Sequence, residues 1–341
     1  MISRSNISSE RARSIRTQSG FTMVEMAVSI AIFAIVMGSI YALMHITRGG
    51  RVNTSQRAEV LQGIRTALNA MGRDSINAGV GYPNTGALIP DNKLTLVGGA
   101  LDSDTSLEFL TPVFAGNNLN SVNGTATDEV TFLYIDDSFN GGASLPISSL
   151  VDSTGSNSVL TIQTGYNNTP CTLGDIYLIT GNNASAIGML TSKSGTNTLN
   201  FESTDPLGIN SPGTKSAIDP LIMPASLLKL TWVTYYVADS DGNGTGTGVL
   251  MRRVFGAYSN NTLIKWVDQP LAFGVENMQI QYVLADGSVV DSPSSTTMPD
   301  IRQIRTTVTV RSPDIDPKTN QPFRSSVTSS FSTRNLVYEK L

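Results

Sequence analysis

The sequence predicts an α+β fold: one long amino-terminal helix, apolar in its first half and amphipathic in its second, packed on an antiparallel β-sheet within an enlarged β-rich head. Three observations carry that prediction. Residues 21–44 form a run of 24 residues whose only formal charge is Glu25. Leu61, Ile64, Leu68 and Met71 then recur at spacings of three and four, the repeat of one helix face. In the last third, apolar and polar residues alternate in runs separated by turn residues, the repeat of strands with one buried face.

The first element is the apolar run. A helix of 24 residues, at about 1.5 Å per residue, is about 36 Å long and crosses a hydrocarbon core of about 30 Å. Residues 1–20 form a short leader with Arg4, Arg11, Arg13 and Arg16 against Glu10. A secretory signal is cut after its apolar run, at small residues. Here the run is followed by Tyr41-Ala42-Leu43-Met44-His45-Ile46-Thr47-Arg48, which offers no such site, whereas Gly20 stands before it. The arrangement resembles that of a prepilin, which implies a cut on the cytoplasmic side that leaves the helix on the mature chain. Arg48, Arg51 and Arg57 beyond the run rival the leader's basic residues, so orientation rests on the motif more than on charge. An ionisable Glu25 within a membrane helix costs about 2.5–3.5 kcal/mol if priced like Asp, and so calls for a partner. The alternative is that Glu25, one turn from the helix start, snorkels to the interface.

Gly20-Phe21-Thr22-Met23-Val24-Glu25 resembles the cleavage and methylation motif of type IV prepilins and type II secretion pseudopilins. The resemblance implies that prepilin peptidase, a membrane aspartyl protease, cuts between Gly20 and Phe21 and methylates the new amino terminus of Phe21. It also implies that Glu25 is needed for assembly, with the Phe21 amine of a neighbouring subunit as its partner. Met23 stands where the family usually has Leu. Two further regions, 15–83 and 228–336, resemble PilW-like minor pilins. They contain Ala67-Leu68-Asn69-Ala70-Met71-Gly72-Arg73-Asp74, Val275-Glu276-Asn277-Met278-Gln279-Ile280-Gln281-Tyr282 and Ser332-Thr333-Arg334-Asn335-Leu336.

Behind the apolar run, residues 45–80 read as an amphipathic spine, with Arg57, Glu59, Gln62, Arg65 and Arg73 opposite the apolar face. Gly49-Gly50 is expected to interrupt it, each glycine weakening a helix by about 1 kcal/mol relative to Ala. Gly79, Gly81 and Pro83 are expected to end it. Residues 84–225 are rich in Asn, Gly, Ser and Thr, with short β-prone runs at 94–97, 107–113, 130–135, 159–163, 176–180, 187–190 and 199–201. Asn140-Gly141-Gly142 and Gly181-Asn182-Asn183 read as turns. Residues 226–341 read as an antiparallel meander, with Met278, Ile280, Tyr282 and Ile304, Thr306, Val308, Val310 on buried faces. Its natural cover is the helix face of Leu61, Ile64, Leu68 and Met71.

Composition narrows the function classes. The chain has 341 residues, 23 basic and 27 acidic side chains, and a net charge of −4. Without the leader, 19 basic and 26 acidic remain, net −7, which argues against a nucleic-acid surface. The single cysteine, Cys171, cannot close an intrachain disulfide, so the head relies on its own core. His45, the single histidine, lies at the membrane-exit end of the helix, where a histidine-based triad or metal site has no cleft to occupy. Asp136 and Asp137 would point to opposite sheet faces if a strand ran through them. No Walker or dinucleotide fingerprint occurs.

One metal motif is present in part. Asp239-Ser240-Asp241-Gly242-Asn243-Gly244 matches the opening of a calcium loop, with Asp239, Asp241 and Asn243 as oxygen ligands. Its twelfth position is Leu250 rather than Glu, and the competing reading is a hairpin loop built from turn-forming residues. No other cofactor is expected.

The functional expectation is a non-enzymatic minor pilin, built into or placed at the tip of a type IV pilus. What the resemblance implies for partners is prepilin peptidase, the inner membrane before assembly, an inner-membrane assembly platform, and major and other minor pilins. Alternatives are a type II secretion minor pseudopilin, and a surface adhesin or DNA-uptake pilin whose middle region meets ligand. A membrane-anchored hydrolase is a further alternative that lacks a visible polar cluster.

Overall fold

The computed structural model describes residues 20–101, 103–152, 157–210, 216–218, 220–239, 248–316 and 320–337, with 45–54, 56, 152, 314 and 316 described by their backbone only. The chain forms two compact units divided after Thr54. Helix α1 (Met23–Asn77) spans the division. The backbone is helical through Gly49 and Gly50, contrary to the expected interruption. A cost of about 1 kcal/mol per glycine is too small to break a helix that continues for many turns on either side. Within the first unit the helical stretch Met23–Met44 has a mean hydropathy of 2.3 and is 0% buried.

The second unit, Ser55–Leu341, contains a 16-stranded sheet. Ten strands come from the polar middle of the chain: β1 (Ala87–Ile89), β2 (Glu108–Leu110), β3 (Val113–Val122), β4 (Thr125–Ile135), β5 (Leu145–Asp152), β6 (Asn157–Ile162), β7 (Ile176–Thr180), β8 (Ser185–Met189), β9 (Ser192–Ser194) and β10 (Thr198–Glu202). Six follow: β11 (Ala225–Asp239), β12 (Gly248–Ser259), β13 (Thr262–Leu284), β14 (Val289–Val290), β15 (Ile301–Asp316) and β16 (Gln321–Ser332). The main path runs β16-β15-β13-β12-β11-β5-β6-β10-β9, with β4 and β7 also paired to β11. The pairing is antiparallel apart from a short parallel contact of β1 with β8 at Leu88 and Ala186. Together, the apolar helix followed by this sheet-built head is the expected α+β, pilin-like arrangement.

The packing of α1 on the meander follows from the two periodicities. Ile64, Ala67, Leu68 and Met71 are buried, and Leu61 is half-buried. Ile64, Ala67, Leu68 and Met71 share one buried cluster with Ile304, Val308 and Val310 of β15, where Thr306 is buried too and Arg305 is exposed on the other face. The Thr306 hydroxyl donates to Met71 Sδ at 3.5 Å. Gly72 is where Phe331 of β16 comes closest, because a Cβ there would lie 2.7 Å from the ring. The helix stops after Asn77, where Gly79 and Gly81 take φ of +83° and +63°, as expected for a glycine-terminated helix. Two hairpins close on left-handed pairs, Asn123-Gly124 between β3 and β4 and Asn260-Asn261 between β12 and β13. A second buried apolar cluster, with Leu145, Ile147, Leu160, Tyr177, Leu199 and Phe201, lies among β5, β6, β7 and β10.

Several local expectations are corrected. Residues 94–97 are not a strand but part of a 3₁₀ helix, Lys93–Val97, bracketed by left-handed Asn92 and Gly98. The backbone N–H of Leu94 donates to the Glu108 carboxylate at 3.0 Å, and this local bond replaces a strand partner. Strand β13 begins at Thr262, well before Met278, Ile280 and Tyr282, whose alternation marks only its second half. Pro270 lies within it beside a register shift between Leu250 and Met251 of β12, so the bulge absorbs the missing N–H. Strand β4 ends at Ile135, so Asp136 and Asp137 lie in the following turn and the opposite-face argument does not apply. Asp136 there accepts from the backbone N–H and hydroxyl of Ser138 at 3.0 and 2.6 Å.

Candidate functional site: the amino-terminal segment

Gly20 and Phe21 precede the first helical residue and are exposed. A Cβ built on Gly20 would meet nothing within 4 Å. The Gly20–Phe21 peptide bond, where the resemblance places the cut, therefore sits outside the helix on exposed backbone.

Thr22 and Glu25 form a capping box at the start of α1. The Thr22 backbone N–H donates to Glu25 Oε2 at 2.9 Å, and the Thr22 hydroxyl donates to the same oxygen at 2.9 Å. In return the Glu25 backbone N–H reaches Thr22 Oγ1 at 3.3 Å. Two backbone donors that a helix start leaves without intrahelical partners are thus satisfied. The carboxylate also sits where the helix dipole favours negative charge. The sequence signal was the spacing Thr-x-x-Glu, which reading Glu25 only as an assembly residue passes over. Within one chain, Glu25 is already engaged. Any partner on another subunit has to compete with Thr22 or use the second carboxylate oxygen.

From Glu25 the segment runs as exposed apolar helix, with Met26, Ile30, Phe33, Ile35 and Met37 all open to the surroundings. Ser29 and Ser39 hydroxyls donate to the carbonyls of Glu25 and Ile35 at 2.7 and 2.8 Å, so these polar groups add little cost in an apolar medium. The leader residues 1–19 and the side chain of His45 lie outside the described residues.

The remaining sites separate in space and character. Asp239 ends β11 and pairs with Gly248, the first residue of β12. Asp241 and Asn243 lie outside the described residues. Leu250, at the twelfth position, is buried in β12. Among the described residues no group of three or more His, Cys, Asp or Glu side chains is placed to hold a metal ion. Cys171 is buried, and burial pushes its thiol up to about 11. It is therefore a protonated thiol at neutral pH.

A buried polar cluster that the sequence did not announce joins α1 to the sheet. Asp74 accepts the hydroxyls of Tyr134 and Tyr235 and the Arg252 Nε hydrogen. Burial and the adjacent Asp74 charge both push the two tyrosine hydroxyls upward. Burial alone would lower Arg252, but hydrogen bonding and attraction to Asp74 raise it. The hydrogen bonds on Asp74 tie the four side chains together, as befits a clamp.

No curated protein and no solved structure matches the chain. The family described as the prokaryotic N-terminal methylation motif matches residues 15–41, the leader end, Gly20, Phe21, Glu25 and most of the apolar helix, and so this amino-terminal segment is similar to that of type IV prepilin-like proteins.

Proposed function

We propose that this chain is a non-enzymatic, PilW-like minor pilin. It enters the inner membrane through residues 21–44, is cut by prepilin peptidase between Gly20 and Phe21, and is methylated on Phe21. It then joins, or sits at the tip of, a type IV pilus, with its head outward against major and other minor pilins. The observation that carries this reading is the methylation motif over residues 15–41, joined to an apolar helix with no cover of its own. A helix with 0% burial over Met23–Met44 is stable only in lipid or against other apolar surfaces, and a filament core provides the latter. Glu25 would then exchange its Thr22 bonds for the Phe21 amine of a neighbour.

The test is co-purification with sheared pili. Glu25→Ala is expected to leave the protein membrane-bound but absent from filaments; equal incorporation of both forms would count against the role of Glu25. A minor pseudopilin of type II secretion shares the motif and helix, and is favoured instead if the protein fractionates with secretion components. Calcium at Asp239, Asp241 and Asn243 is a subsidiary proposal resting on those oxygen ligands. Isothermal titration giving no heat with calcium would remove it.

A further inference from the structure

We draw no further inference here: the strongest candidate, the outer edge of β16 at the end of the strand path, where residues 325–332 carry no charged side chain, is an open strand edge, and nothing among the described residues shows what covers it.

Discussion

Asp74 and Arg252 are 178 positions apart, yet the Asp74 carboxylate accepts the Arg252 Nε hydrogen at 2.8 Å. The same carboxylate takes the hydroxyls of Tyr134 at 2.9 Å and Tyr235 at 2.7 Å. Strands β4, β11 and β12 are thereby tied to α1 at one buried point. Removing the acid would strand a half-buried guanidinium and two tyrosine hydroxyls. Asp74→Ala is therefore expected to cost about 3–5 kcal/mol, against a change within about 0.5 kcal/mol for the exposed Arg65→Ala. Urea unfolding of the two variants checks this; a loss below about 1 kcal/mol for Asp74→Ala would show that the clamp is dispensable.

Two glycines of one helix should respond in opposite directions. At Gly72 a Cβ would come within 2.7 Å of the Phe331 ring, so Gly72→Ala forces the ring off its place on α1. The expected cost is about 1–3 kcal/mol. At Gly63 nothing lies within 4 Å, so Gly63→Ala is expected to gain about 0.5–1 kcal/mol from helix propensity. Differential scanning calorimetry of both variants decides it, and the same sign for both would contradict the packing described.

Asp136 makes stability depend on pH. Burial pushes its carboxyl up, but the Ser138 hydrogen bonds and the Lys229 charge outweigh that and hold it below its ordinary value of 3.8. A carboxyl lowered on folding contributes stability above its unfolded value, and that contribution is lost as pH falls through the folded value. Asp136→Asn should thus lower Tm at neutral pH, with the gap to wild type closing below 3.8. A gap that stays constant down the acid range would mean the charge is not what matters.

The parts of this fold that the sequence makes legible are those set by periodicity. The buried faces of α1 and of β13 and β15 follow from spacings of three to four and of two, because burial selects residues along one side of each element. The 3₁₀ turn at Lys93–Val97 defeats that reading, since Leu94-Thr95-Leu96-Val97 alternates like a strand while left-handed Asn92 and Gly98 set the backbone. Strand β3 is hidden by Gly116-Asn117-Asn118, where a bulge breaks the alternation, and Asn118 takes positive φ with its N–H held by Asp128. At the amino terminus the motif is visible, and so in principle is the capping box, because both are local. The Asp74 cluster is not, because its partners come from strands 60, 161 and 178 positions away.

The central claim is that the chain is cut ahead of its apolar helix rather than behind it. Intact-mass and amino-terminal peptide mass spectrometry of protein made in its native host tests this most directly. The account predicts a mature chain that starts at Phe21 and carries one added methyl group, about 14 Da, on its amine. A chain that retains residues 1–20, or one that has lost residues 21–44, would contradict it.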